Sequence, residues 1–102
     1  MVTIVGRRIV YTDHLIFRLM CRNIPYDLPK FILENAKEFY YDTKTNHYIA
    51  LSRIEYRGKQ RDMIVVFEIN DEIYLITIHP IKNEQKRRRI KSGRWRRVKV
   101  RL

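Results

Sequence analysis

The chain of 102 residues suits one domain and is too short for two typical ones. Hydrophobic residues make up 45% of it and aromatic residues 12%, which excludes a disordered chain, and no stretch approaches the roughly 18 consecutive apolar residues of a membrane span. The only cysteine, Cys21, excludes an intramolecular disulfide. Together with an N-terminus that lacks a signal-peptide pattern, this favours a cytoplasmic protein in which Cys21 is a small buried hydrophobe.

The net charge of +11 is concentrated near the C-terminus. Residues 82–102, called the basic segment below, carry a net +10, whereas residues 1–81 carry only +1. A segment of this kind attracts phosphate groups in a salt-dependent way. Because its cations are interleaved with apolar residues and one aromatic, the pattern favours RNA or DNA as the partner over a merely solvated tail.

The elements predicted first in chain order are a strand and two helices. The strand falls within residues 1–11, and Thr12 or Asp13 can cap a helix over 14–22. A second helix is predicted over 27–35, so that the two helices form an αα-hairpin. The buried side of the first helix is predicted to consist of Leu15, Phe17 and Leu19.

The region after the hairpin alternates between β-prone runs and turns. Strands are predicted over 39–42, 47–57, 60–69 and 72–79. The predicted fold class is therefore α+β: an N-terminal strand and an αα-hairpin packed on one face of a mainly antiparallel sheet of three to five strands. Residues 1–81 would form the body, and 82–102 a basic C-terminal tail that extends the same domain.

Two-residue loops at 58–59 and 70–71 assign the strand side chains to two faces of the sheet. The face predicted to pack against the helices is apolar throughout and carries Ala50, Ile54, Met63, Val65, Phe67, Tyr74, Ile76 and Ile78. The other face, called the second face below, carries apolar residues in its middle: Ile49, Leu51, Ile64, Val66 and Leu75. This face is predicted to be covered by the basic segment or a partner, or to form the floor of a site.

One end of the second face is predicted to be ionisable. The assumed register places Glu55, Asp62 and His79 in one cross-strand row, with Arg53 and Thr77 in the next. A histidine at a strand end beside a carboxylate can transfer protons, although a purely structural pair is equally compatible with the pattern. No set of residues has metal-ligand spacing, so neither a metal nor another cofactor is expected.

Two further motifs carry alternatives. His14, Arg18 and Arg22 recur every four residues, for which the spacing alone favours a solvated helix face. Trp95, flanked by arginines, could stack on an unpaired base, but burial against the second face is favoured because large aromatic side chains are usually buried.

The residues of the basic segment predicted to contact nucleic acid are Lys82, Lys86, Arg87, Arg88, Arg89, Lys91, Arg94, Trp95, Arg96 and Arg97. The alternation of Val98, Val100 and Leu102 with cations is typical of a last short strand.

The chain resembles small proteins related to the RelE and ParE toxins over about residues 9–97. The likeness is carried by a His-x-x-x-Arg-x-x-x-Arg-x-Ile pattern at His14 to Ile24, by Leu33-Glu34-Asn35, and by Thr77-Ile78-His79-Pro80. Asn23 stands where these proteins usually have glycine, which affects a helix end rather than chemistry. The resemblance implies a RelE-like fold of the kind predicted above.

The resemblance also implies a toxin of a toxin–antitoxin system, with a cognate antitoxin as protein partner. RelE relatives are metal-independent endoribonucleases that cut mRNA, usually on the ribosome, whereas ParE relatives share the fold and inhibit DNA gyrase. Alternatives to the nuclease are therefore a non-catalytic nucleic-acid-binding protein and a ParE-like inhibitor of a topoisomerase. The sequence leaves open whether the chain forms a homodimer.

The nuclease hypothesis assigns roles to particular residues. His79 would act as general acid or base with Asp62 as its orienting group, and Arg53 and Arg61 would hold the scissile phosphate. His14 and Arg18 would be further candidates if the first helix borders the site. Additional phosphate contacts would come from Lys82, Arg89 and Arg94.

Overall fold

The computed structural model describes residues 1–101, which form helices and strands in an α+β arrangement. In chain order the elements are β1 (Val2–Thr3), β2 (Ile9–Tyr11), α1 (Asp13–Arg22), α2 (Leu28–Asn35), β3 (Glu38–Asp42), β4 (His47–Tyr56), β5 (Lys59–Ile69), β6 (Ile73–Pro80), α3 (Asn83–Lys91), β7 (Trp95–Val98) and β8 (Val100–Arg101). The predicted α+β class is confirmed. Leu102, predicted to end the last strand, lies outside the described residues. Within residues 1–101, no helix has the length and apolar character needed to cross a membrane.

Within residues 1–101, the main sheet has six strands in the order β2-β6-β5-β4-β3-β7. Neighbouring strands are antiparallel except β2 and β6, which run parallel, and β1 pairs separately with β8. The sheet is therefore larger than the three to five strands predicted. The additional strand is β7, which the basic segment adds at one edge.

The helices α1 and α2 cover one face of the sheet. The Thr12 hydroxyl caps α1 by accepting the Leu15 N–H at 3.2 Å, and Leu15 and Leu19 are buried against the sheet. Two predictions for α1 are wrong: Phe17 is 68% exposed, and Cys21 is exposed. With 3.6 residues per turn, both lie on the side of α1 opposite its two buried leucines.

The turn between β4 and β5 lies one residue earlier than predicted. Arg57 and Gly58 form the two-residue loop, with φ values of 53° and 79°, so Tyr56 pairs with Lys59. The register differs from the predicted one by two residues. Because side chains alternate with a period of two, the side chains of β4 and β5 remain on their predicted faces.

A β-bulge in β6 changes the next register. Val66 pairs with Thr77 and Phe67 pairs with Leu75, which leaves Ile76 as an extra residue between them. Leu75 is consequently buried against the helices. The predicted facing is wrong for three side chains, Tyr74, Leu75 and Ile76, but His79 keeps its place on the second face.

The basic segment covers the second face. Its Ile81 and Trp95 are buried together with residues of β3, β4 and β5 in a second apolar core. The predicted basic C-terminal tail is therefore a helix and an edge strand of the fold rather than an appended extension. The basic residues of this segment therefore lie next to the sheet where α3 borders the second face.

Candidate nucleic-acid interface

Asp42 attaches the basic segment to the sheet. Its carboxylate is 2% exposed and accepts hydrogen bonds from Arg94 Nε at 3.0 Å and from Trp95 Nε1 at 3.2 Å. Burial raises the pKa of Asp42, but the hydrogen bonds from Arg94, the Lys44 amide and Trp95 outweigh it and lower this pKa to about 2. We therefore assign Arg94 to the fold rather than to phosphate binding.

Glu38 holds two more cations of the basic segment. Lys86 Nζ lies 2.7 Å and Arg97 Nη1 3.8 Å from its Oε1, and the Tyr40 hydroxyl donates to the same oxygen at 2.6 Å. Burial and this bond to Glu38 raise the pKa of Tyr40 to about 12. Lys86 and Arg97 thus compensate a half-buried carboxylate, which reduces what they can contribute to phosphate binding.

Trp95 does not offer a stacking surface to a base. Its indole is 2% exposed, stacks on Tyr40 with ring centroids 5.1 Å apart, and has the Arg89 guanidinium 5.3 Å from its centroid. The burial favoured from the sequence is confirmed, and the predicted contact of Trp95 with nucleic acid is wrong for this structure. Trp95 instead fixes α3 against the sheet.

The remaining cations of the basic segment are available to a phosphate backbone. Within residues 1–101 none of the following exposed side chains forms an ion pair: Lys82, Arg87, Arg88, Lys91 and Arg96. Arg89 is half-buried, and burial together with the charge of Arg94 lowers its pKa. The exposed cations form a positively charged outer surface on α3, on Lys82 just before it, and on β7.

His79 lies on β6 beyond the 73–75 stretch that pairs with β2. Its Nδ1 is 3.2 Å from the carbonyl oxygen of Pro80. Because a carbonyl oxygen only accepts, Nδ1 carries the proton and Nε2 keeps its lone pair. Burial lowers the pKa of His79, and the charges of Arg89, Arg18 and Arg22 lower it further, although the bond to Pro80 opposes them. His79 is therefore a neutral base surrounded by cations.

Asp62 does not orient His79 as predicted. Its Oδ1 accepts from Arg53 Nη1 at 3.3 Å, and the two residues face each other across β4 and β5. His79 lies one row further in, opposite Ile64. The prediction placed Asp62 and His79 in one row because it assumed a different turn between β5 and β6 and no bulge in β6. Within residues 1–101, no carboxylate is hydrogen-bonded to His79.

Two clefts on either side of Pro80 contain the arginines. The arginine cleft, with a volume of about 310 Å³, is lined by Arg53, Arg61, Asp62 and Lys82. The helix-side cleft, with a volume of about 330 Å³, is lined by Arg22, Arg57, Arg61 and His79. Arg61 lines both, so the two predicted phosphate ligands, Arg53 and Arg61, do come together.

Two of the arginines have unused donors. The Nε atoms of Arg18 and Arg61 are buried and have no hydrogen-bond partner within residues 1–101. A buried donor without an acceptor is costly, and an anion bound nearby would relieve that cost. His14, in contrast, is exposed at the opposite end of α1 from Arg22 and lines neither cleft.

A third cleft lies on the second face and is called the Thr77 cleft below. It has a volume of about 240 Å³ and is lined by Thr77, His79, His47 and Arg89, among others. His79 thus borders this cleft as well as the helix-side cleft. The sequence predictions missed His47, whose Nε2 is 2.8 Å from Glu68 Oε1. Strict alternation along β4 would have placed it on the second face with Ile49.

Sequence reasoning also missed Arg57. It was assigned to the end of β4, but it occupies the turn, donates to the Arg22 carbonyl at 2.5 Å and lies 5.1 Å from the Tyr56 ring centroid. The signal was the adjacent Gly58, since two consecutive residues with positive φ are typical of a two-residue hairpin loop. Arg57 brings another charge to the helix-side cleft.

No family model matches this chain, and no curated protein or solved structure matches it either. In the part of the chain from residue 1 to 101, no group of three or more His, Cys, Asp or Glu side chains is arranged to hold a metal ion. The function is therefore inferred from the geometry of the three clefts and from the exposed cations.

Proposed function

We propose that this protein is a metal-independent endoribonuclease of the RelE-like toxin type, with His79 as its catalytic base. The observation that carries the proposal is the position of His79 at the border of the helix-side cleft and the Thr77 cleft, with cations around it. A neutral imidazole with a free Nε2 lone pair can accept a proton from a ribose 2′-hydroxyl. The resulting 2′-oxygen would then attack the adjacent phosphorus, and the P–O5′ bond would break, which leaves a 2′,3′-cyclic phosphate on one fragment. The 5′-oxygen would leave as a hydroxyl after taking a proton from water.

The arginines would supply the electrostatic part of catalysis. The attack places additional negative charge on the phosphoryl oxygens, and guanidinium groups stabilise such charge through paired N–H donors. Arg61 lines both clefts on either side of Pro80, and its buried Nε has an unused donor. Arg22 and Arg57 line the helix-side cleft beside His79. The exposed cations of α3 and β7 would hold the flanking phosphates.

A non-catalytic RNA-binding protein is the second candidate, and one observation favours it. Asp62, the expected orienting carboxylate, is paired with Arg53 instead of His79. Most catalytic histidines have their tautomer fixed by a hydrogen-bond acceptor, and here only the Pro80 carbonyl fills that role within residues 1–101. Under this proposal the same cations bind RNA and the phosphodiester remains intact.

The deciding experiment is RNA cleavage in the presence of excess EDTA. An end-labelled RNA, and the same RNA with a single 2′-deoxy substitution at the mapped cleavage site, would be incubated with wild type, His79→Ala and Lys30→Ala. Lys30 is exposed on α2 and serves as the matched control. We expect wild type and the control to cut only the all-ribose RNA and to leave a 2′,3′-cyclic phosphate, and we expect His79→Ala to bind RNA without cutting it.

Three results would change the proposal. Intact RNA with tight, salt-sensitive binding would favour the non-catalytic protein. Undiminished cleavage by His79→Ala would remove His79 from the mechanism. Absence of RNA binding combined with inhibition of DNA supercoiling by gyrase would favour the ParE-like function, which the resemblance also implies. Growth arrest on induction, relieved by a neighbouring gene, would support a toxin with an antitoxin partner.

A further inference from the structure

The Thr77 cleft differs in composition from the two arginine-lined clefts. Its floor is apolar and consists of Ile49, Ile64, Val66 and Ile76, which lie on adjacent strands of the second face. Its volume of about 240 Å³ is below the roughly 300–1,000 Å³ typical of sites for drug-sized ligands. An apolar floor of this size fits one planar ring system better than it fits a sugar–phosphate chain.

Thr77 supplies an unused polar group in this cleft. Its hydroxyl is buried and has no hydrogen-bond partner within residues 1–101. A hydroxyl can both donate and accept, so it can pair with either kind of group on the edge of a ring. Since the hydroxyl is sealed from water in the free protein, the entering ring must shift a lining side chain to reach it. The unpaired hydroxyl lowers the net cost of that shift.

Arg89 gives the cleft a planar cation. Its guanidinium is positioned by Trp95, whose ring centroid lies 5.3 Å away, and by the half-buried environment of α3. Guanidinium planes stack on unpaired bases in protein–RNA complexes. Trp95, buried beneath α3, thus contributes indirectly by holding Arg89 rather than by stacking on a base itself.

The cleft is adjacent to the proposed reaction centre. His79 borders both the Thr77 cleft and the helix-side cleft, and Thr77 lies two residues before it on the same face of β6. A nucleotide with its ribose at His79 can therefore direct its base toward Thr77 while its phosphate lies toward the arginines.

We infer that the Thr77 cleft is a subsite for one unpaired nucleobase of the bound RNA, paired to the Thr77 hydroxyl and stacked against Arg89. This inference rests on the proposed function, since it assumes that the arginine-lined clefts bind the phosphates of the same strand. It gives the protein a means of preferring one base at the position next to His79. The other cations read only the phosphate backbone and carry no base preference.

The test compares short, uncleavable 2′-O-methyl RNA oligonucleotides that carry each of the four bases with an abasic oligonucleotide of the same length. Binding would be measured by fluorescence anisotropy for wild type, Thr77→Val and Thr77→Ser. We expect wild type to bind at least one base-bearing oligonucleotide about tenfold more tightly than the abasic one. Thr77→Val should lose most of that difference without weakening abasic binding, and Thr77→Ser should retain it.

The outcomes separate the subsite from the proposed function. Equal binding of base-bearing and abasic oligonucleotides by wild type overturns the subsite while RNA binding stands. A base preference that is unchanged in Thr77→Val also overturns it. Failure of wild type to bind any of the oligonucleotides overturns the proposed function and the subsite together. A thermal melt of each variant checks that a loss of preference does not reflect unfolding.

Discussion

Asp42 and Arg94 are 52 residues apart in sequence, and their side chains form a hydrogen-bonded ion pair at the end of the sheet. The same carboxylate accepts from the indole of Trp95, the next residue. One carboxylate therefore fixes the start of β7 and holds α3 over the second face. Arg94, which pairs with this carboxylate, therefore stabilises the part of the fold that carries the exposed cations.

Replacing Asp42 with Asn should destabilise the protein by about 3 kcal/mol, because it leaves a partly buried guanidinium without its counter-charge. Urea unfolding at neutral pH measures this loss. Asp27→Asn is the matched control, since Asp27 is exposed and its side chain makes no capping hydrogen bond to α2. Equal unfolding midpoints for Asp42→Asn and wild type would show that the pair contributes nothing to stability.

The ion pair should also make stability depend on acid pH. The pKa of Asp42 is about 2 in the folded protein, below its ordinary value of 3.8, so its contribution is complete above about pH 4 and lost as pH falls toward 2. That contribution is about 2 kcal/mol. Urea unfolding of wild type and Asp42→Asn at several pH values should show the two converging over this range. A constant difference would contradict the lowered pKa.

Trp95 should behave as a buried fluorophore. It is the only tryptophan, so the emission spectrum reports this one site. We expect a blue-shifted emission and weak quenching by iodide in the folded protein, with a red shift on unfolding. Quenching by iodide as strong as for free tryptophan would mean that the indole is exposed and could stack on a base after all.

The salt dependence of RNA affinity should be set in part by the exposed arginines of α3. Each phosphate neutralised on a single strand contributes about 0.7 to the slope of log affinity against log salt. Replacing both Arg87 and Arg88 with Gln should therefore reduce that slope by about 1.4. Lys30 is exposed on α2 and Lys99 is exposed between β7 and β8, and replacing this pair with Gln is the control. A slope unchanged in the arginine variant would place the RNA elsewhere.

His79 should titrate at a lower pH than an ordinary histidine. Burial and the charges of Arg89, Arg18 and Arg22 lower its pKa from 6.5, so the neutral base persists into mildly acidic solution. NMR titration measures this directly, with His79→Gln to assign the resonance. If His79 is the catalytic base, cleavage should rise with pH through the same pKa and then level off. A rate that rises only above pH 6.5 would contradict that role.

The helices of the αα-hairpin could be predicted because local side chains and backbone conformation mark where they begin and end. Thr12 caps α1 through its hydroxyl, and Asn23 ends it in the left-handed conformation with a φ of 53°. α3 could not be predicted in the same way. It has no buried residue, so it lacks the apolar periodicity that marks an amphipathic helix, and its run of cations is typical of a solvated segment.

The facing of His79 was predicted correctly because two errors in register compensated each other. The assumed turn at 70–71 misplaced β6 by one residue, and the bulge at Ile76 added one more. The total shift of two residues leaves His79 on its predicted face but moves it by one row. His79 therefore lies opposite Ile64 instead of the predicted Asp62. Turn type and bulges depend on contacts across strands, and hydrophobic alternation within one strand does not record them.

The burial of Trp95 and Ile81 in the second core has a practical consequence for testing the proposed RNA contacts. Deleting the basic segment would not yield a neutral body, because it would also expose the apolar middle of a sheet face and an unprotected β3 edge. Such a surface favours aggregation and strand pairing between molecules. Loss of RNA binding in a truncated protein would therefore not test the proposed contacts, which have to be removed one exposed cation at a time.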